Sequence, residues 1–232
     1  MAIKPQDMAK MIDYTLLSPV ASVDDIKKLC QEAYQYEFAT VCVNPIFVPM
    51  AAKLLANTSV KVSTVVGFPL GASTSETKAY ETRNAVKNGA QEIDMVMNLG
   101  AFKSGAHDQI QLDIKAVVDA TKTAGVSSDV IVKVIIETCY LTKEEIVLAC
   151  QLIKNTDADF VKTSTGFGPE GAKVDDVSLI RKTVGREIGV KAAGGIRNFK
   201  EALAMLNAGA NRIGTSAGVA IVTGEGISEE DY

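Results

Sequence analysis

Short runs of strand-forming residues alternate with helix-periodic stretches along the whole chain, and that alternation constrains the fold more than any other feature. A parallel strand cannot return to its neighbour through a tight turn, so each crossover must carry a longer segment, normally a helix that covers the sheet. Eight runs read as strands: Met11–Thr15, Thr40–Val43, Lys61–Val66, Glu92–Met97, Ile131–Ile136, Phe160–Thr163, Val190–Ala193 and Arg212–Gly214, the first and last being weakest by pattern. Between them apolar residues fall at helical spacing, as in Ile110, Ile114, Val117, Val118 and Thr121, in Ile146, Val147, Cys150 and Ile153, and in Phe199, Ala202, Leu203 and Leu206. Ser22 with Asp25, Ser73 with Glu76 and Thr142 with Glu145 signal helix starts, and Gly89, Gly125 and Gly209 signal helix ends. Eight strands with their helices in 232 residues favour a closed (β/α)8 barrel, the α/β TIM-barrel fold, over an open doubly wound sheet. One domain spanning 1–232 is expected, ending in a short polar, mobile tail from about residue 225.

Composition narrows the function. A hydrophobic fraction of 47% suits one sizeable core, and a net charge of −4 spread over interspersed acids and bases leaves no nucleic-acid footprint and no polybasic membrane patch. The chain holds no apolar run long enough to span a bilayer and no secretory leader, so a cytoplasmic location is expected. Cys30, Cys42, Cys139 and Cys150 are far apart and form no CxxC pair, which reads as reduced, mostly buried thiols and not as a zinc knuckle or disulfide framework. The single histidine, His107, opens a helix in a polar stretch and leaves no basis for a His-containing triad or a multi-histidine metal site. Neither a metal nor a cofactor is expected, and small-molecule chemistry must run on other side chains.

Charge inside the strands is the informative anomaly. Side chains alternate along a strand, so Val132, Val134 and Ile136 share one face of the fifth run while Lys133, Ile135 and Glu137 share the other. The apolar face meets the helices, which turns Lys133 toward the barrel interior. The same alternation turns Asp94, Lys162 and Lys191 inward, so four consecutive strands aim charge at one space. A single inward lysine is explained by an ion pair or by snorkelling to water. Three lysines and an aspartate on neighbouring strands cost several kcal/mol of desolvation that packing does not require.

Clustering gives lysine a chemical use. At about 5 Å and an effective dielectric near 20, two ammonium groups repel by roughly 3 kcal/mol, which favours loss of one proton about a hundredfold. A neutral amine attacks an aldehyde or ketone to give an iminium, an electron sink for making or breaking the neighbouring carbon–carbon bond. Asp94 can shuttle the protons, directly or through water. Spacing alone does not decide which lysine is the nucleophile. Lys162 is the better candidate, because Thr163, Ser164, Thr165 and Gly166 place it at the C-terminal strand end where barrel active sites are built. Lys191 also precedes a glycine-rich turn and can supply the second positive charge.

Three turns on that side, Thr163–Gly168, Gly194–Gly195 and Gly214–Gly218, are rich in small residues that let backbone N–H groups approach an anion. Each alone is ordinary turn chemistry; their shared location points to phosphate. Gly166-Phe167-Gly168-Pro169-Glu170-Gly171 also matches the dinucleotide pattern GxGxxG, but Pro169 removes a backbone donor and Glu187 stands before the next strand instead of at its end.

The segments IDYTLLSP, TVCVNP, VVGFPLG, GAQEIDMVMNLG, VKVIIETCYLT, DFVKTSTGF, VKAAGGIR and RIGTSAG, taken in order, resemble the deoxyribose-phosphate aldolases over nearly the whole chain. The resemblance implies a TIM barrel that reversibly cleaves 2-deoxy-D-ribose 5-phosphate to acetaldehyde and D-glyceraldehyde 3-phosphate without metal, its partners being a sugar phosphate and small aldehydes. It implies Lys162 as the Schiff-base lysine, Lys191 as the partner that lowers its pKa, Asp94 as the proton relay, and Lys133 as part of the polar network. It places phosphate on Gly166, Gly194, Gly195, Gly214 and Ser216. Some members end in a tyrosine that assists proton transfer, as Tyr232 ends this chain. Tyr14 stands where many members have histidine and Phe167 where some have lysine; the second removes a side-chain cation from that loop, so phosphate affinity there is expected to rest on backbone amides. A homodimer is the expected self-association. The rivals are another Schiff-base aldolase acting on keto-acid or ketose phosphates, and a catalytically silent sugar-phosphate-binding barrel.

Overall fold

Eight parallel strands close on themselves in the computed structural model, which describes residues 3–124 and 130–224. The strands are β1 (Ile12–Leu16), β2 (Thr40–Val43), β3 (Lys61–Val66), β4 (Glu92–Val96), β5 (Ile131–Ile135), β6 (Phe160–Lys162), β7 (Gly189–Ala193) and β8 (Arg212–Thr215), each within a residue of the expected bounds. Each pairs with its sequence neighbours, and β8 pairs with β1 to complete the barrel.

The helices are α1 (Pro5–Met8), α2 (Val23–Gln35), α3 (Val48–Leu54), α4 (Ser75–Lys87), α5 (Leu99–Lys103), α6 (His107–Thr123), α7 (Lys143–Lys154), α8 (Val174–Val184), α9 (Phe199–Asn207) and α10 (Gly218–Thr223). Ser22 and Thr142 form the expected capping boxes with Asp25 and Glu145. The cap of α4 falls one residue later than expected: Thr74 is the extended residue whose side chain accepts from the Thr77 N–H, and Ser73 lies outside the helix. Gly89 and Gly209 end helices with φ of +107° and +111°, a region L side chains rarely adopt. Gly125 lies outside the described residues, as does the tail from 225 with Tyr232.

Outward strand residues such as Ile93, Val134, Val161 and Val190 are fully buried under the helices. The stripe expected on α6 is buried throughout; α7 buries Ile146, Ala149, Cys150 and Ile153, and Val147 turns half away. On α9 the deepest residues are Ala202 and Met205, with Phe199, Leu203 and Leu206 packed against the core at partial exposure. A buried ion pair joins two helices at 2.5 Å, Lys78 of α4 with Asp113 of α6, and Lys78 also donates to the Val96 carbonyl at the end of β4. Among the described residues no helix is long and apolar enough to cross a membrane.

Candidate active site

The inward faces of the strands carry the charge. β4 turns Glu92 and Asp94 inward, β5 Lys133, β6 Lys162 and β7 Lys191, all buried; β1 adds Asp13 and β8 adds Arg212. Register brings them level, pairing Asp94 with Lys133 and Lys162 with Lys191.

Asp94 is the hub. Lys133 donates to its Oδ1 at 2.8 Å, while Lys162 and Lys191 each donate to Oδ2 at 2.7 Å. Lys133 also lies 2.6 Å from Glu92 and 3.7 Å from Asp13. Lys191 Nζ sits 2.5 Å from Asp13 Oδ2 without the alignment of a hydrogen bond. Arg212, at the N-terminal end of β8, hydrogen-bonds both Asp13 and Glu92.

This interior gathers four cations against three carboxylates, and in a low dielectric the excess positive charge favours loss of a proton from one of them. The lysines do not share that imbalance equally. Burial pulls the Lys162 amine below the ordinary lysine range and the Lys191 charge adds to this, together outweighing the attraction of Asp94. Burial works the same way on Lys133 and Lys191, but the carboxylates around them prevail: Asp94, Asp13 and Glu92 hold Lys133 above the usual range, and Asp13 and Asp94 hold Lys191 there. Burial opposes the charge on Asp94, yet the three lysines keep its carboxyl far below the usual range. Lys162 has Asp94 as its one carboxylate partner among the described residues, and it alone of the three lysines retains exposure, 3%.

That exposure opens onto a cavity of about 410 Å³ at the C-terminal ends of β6, β7 and β8. Lys162, Gly166, Gly194, Gly195, Gly214 and Ser216 line it, with Thr165, Phe167 and Arg197. Gly194 and Gly195 both have positive φ, +87° and +81°, so the turn needs two consecutive residues without Cβ strain. A larger cavity of about 570 Å³ opens at the N-terminal ends of β3 to β5, but Lys61 is the one charged residue of its described lining, and the lysine cluster faces the other way.

A sequence model of the DeoC/LacD family aldolases matches residues 6–224. The chain belongs to that aldolase family. It is 59% identical over 216 residues to the deoxyribose-phosphate aldolase of Caldanaerobacter subterraneus subsp. tengcongensis, covering 93% of this chain and 92% of that protein. It is 57% identical over 220 residues to that of Thermococcus gammatolerans, covering 94% and 96%. Among solved structures, the deoxyribose phosphate aldolase of Aeropyrum pernix, described as a unique tetramer, superposes with a TM-score of 0.86 at 33% identity, covering 95% of this chain and 91% of that one.

In this DeoC/LacD aldolase the four inward residues expected from strand alternation meet at one point, and all five glycine and serine positions expected for phosphate line one cavity. Gly214 plays a different local part from the expected turn glycine. β8 runs on to Thr215, which puts Gly214 inside the strand, and a Cβ there would stand 2.9 Å from Lys191 Cε. Gly171 of the dinucleotide-like pattern is explained by packing, since its Cβ would lie 2.1 Å from the Gly194 carbonyl oxygen. Tyr14 faces away from the site and donates to Glu32.

Four residues escaped the sequence reading. Glu92 stands two before Asp94 and Arg212 two before Gly214, so strand parity would have found both. Asp13 sits in the first strand, one of the two that are weak by pattern. Arg197, in the turn after β7 and outside the loop that holds Phe167, also lines the cavity.

Proposed function

We propose that this chain reversibly cleaves 2-deoxy-D-ribose 5-phosphate to acetaldehyde and D-glyceraldehyde 3-phosphate through a Schiff base on Lys162. The observation that carries the reading is a buried lysine held below its ordinary pKa, sharing one carboxylate oxygen with a second, charged lysine at the mouth of a glycine-lined cavity. Relatives at 57–59% identity that bear the deoxyribose-phosphate aldolase name support the choice of substrate.

In the cleavage direction the neutral Lys162 amine adds to C1 of the open-chain sugar and the carbinolamine loses water to give an iminium. The C3 hydroxyl gives up its proton toward Asp94, directly or through water, and the C2–C3 bond breaks with its electron pair entering the iminium. That step leaves glyceraldehyde 3-phosphate and an enamine. Protonation at C2 and addition of water release acetaldehyde and return the amine. Lys191 stays charged and, with burial, favours the neutral form of Lys162, and Lys133 holds Asp94 from its other oxygen. Gly166, Gly194, Gly195, Gly214 and Ser216 receive the phosphate, with Arg197 as counter-charge. Tyr232, outside the described residues, assists protonation of the enamine.

We place the reaction in the cytoplasm, in keeping with four free cysteines. For self-association we propose a homodimer, which a tetrameric mass by light scattering would overturn. The test of the chemistry is borohydride trapping with 2-deoxyribose 5-phosphate in EDTA, followed by peptide mapping. An adduct on Lys162 is expected. An unmodified protein that cleaves nothing returns the reading to a sugar-phosphate-binding barrel.

A further inference from the structure

Glu137, two residues past the end of β5, has a conformation few residues tolerate. Its φ and ψ are 49° and 67°, the left-handed region, where a side chain longer than asparagine or aspartate is uncommon. It is also buried, 3% exposed, and no lysine or arginine among the described residues forms an ion pair with it. A strained backbone and a buried carboxylate together call for a compensating task.

Both carboxylate oxygens are spent on one residue. Oε1 accepts from the Thr165 N–H at 3.0 Å and Oε2 accepts from the Thr165 hydroxyl. That hydroxyl in turn accepts from the Phe167 N–H at 3.0 Å. Two backbone donors of the loop after β6 are thereby tied to the end of β5, and the Thr165 proton is committed to Glu137. The same two strand ends are joined by the Thr138 N–H donating to the Thr163 carbonyl at 2.9 Å. Thr165, Gly166 and Phe167 all line the cavity, three to five residues past Lys162.

We propose that Glu137 is a positioning residue that shapes the Thr165–Phe167 loop to receive the end of the substrate remote from Lys162, without itself touching substrate. The inference rests on the functional reading above and deepens it. The clamp acts on the wall of the cavity and not on the lysine cluster, so its loss weakens recognition of the phosphorylated sugar and leaves imine formation alone. Glutamine can restore both contacts, its oxygen accepting the Thr165 N–H and its amide donating to a rotated hydroxyl.

The experiment compares Glu137→Ala and Glu137→Gln with the parent protein. Glu137→Ala is expected to raise KM for 2-deoxyribose 5-phosphate about tenfold or more, with a smaller change in kcat and in the constants for unphosphorylated 2-deoxyribose. Its rate of acetaldehyde imine trapping should match the parent, and Glu137→Gln should return KM to within about threefold. Thr165→Val, which removes the hydroxyl from the other side, should shift KM in the same direction should Glu137→Ala fold poorly. Equal losses on both sugars, or an unchanged KM, overturn the proposal. A parent protein that cleaves neither sugar sinks the functional reading instead; calorimetric titration with inorganic phosphate then decides the clamp, weaker binding by Glu137→Ala supporting it and equal binding overturning it.

Discussion

Replacing Lys191 with methionine keeps its volume and removes its charge. Lys162 and Lys191 reach the same oxygen of Asp94 at 2.7 Å, so their nitrogens are no farther apart than twice that distance. At an effective dielectric near 20 this is worth about 3 kcal/mol of repulsion, or about two pH units in the protonation of Lys162. The sign follows from the structure: Lys191 helps hold Lys162 below the ordinary lysine range, so its loss lets Lys162 keep its proton to higher pH. The interior inventory agrees, since three remaining cations then match three carboxylates with Lys162 charged. Asp13 retains its hydrogen bond to Arg212, which limits damage to the fold. The assay is kcat/KM for 2-deoxyribose 5-phosphate from about pH 6 to about pH 10, read by coupled detection of glyceraldehyde 3-phosphate. The rising limb should move alkaline by up to about two units, with activity down as much as about a hundredfold near neutrality and recovering at high pH. A limb that stays in place while the rate falls by one factor at every pH would refute the electrostatic account and leave Lys191 a purely geometric role.

Lys162→Met should raise the melting temperature at neutral pH by about 2–4 °C for each kcal/mol recovered, because the unfolded chain holds the Lys162 proton more tightly than the fold does. Calorimetry should show the gap between variant and parent closing as pH rises through the ordinary lysine pKa, and a lower melting temperature would sink the idea. Gly214→Ala forces a Cβ to within 2.9 Å of Lys191 Cε and 3.0 Å of Ala193 Cβ, so about 1–3 kcal/mol of stability and part of kcat should be lost in urea titrations and steady-state assays. Lys78→Met leaves Asp113 buried without its cation and should cost about 3–5 kcal/mol, part of which Asp113→Asn in the same chain restores; an unchanged urea midpoint would contradict this.

Strand parity and helix periodicity were properties of the sequence alone. They placed all eight strands within a residue and turned Lys133, Lys162, Lys191 and Asp94 toward one interior, because side-chain alternation needs no knowledge of what lies across the barrel. Parity also held the answer for Glu92 and Arg212, although neither stood out beside an expected catalytic residue.

What parity cannot supply is distance across the barrel or the partner each charge meets. Three lysines within reach of one another look alike in sequence. Closure of β8 onto β1 brings in Asp13 and Arg212, surrounds Lys133 and Lys191 with carboxylates, and leaves Lys162 with Asp94 alone at the open end. The pKa order of the lysines therefore belongs to the tertiary structure, since it depends on which ions share a small, poorly screened space. The same holds for Glu137, whose left-handed backbone and bond to Thr165 join two strand ends that the sequence separates by 28 residues. Local pattern determined which residues point inward; only the closed fold decided which of them can afford to be neutral.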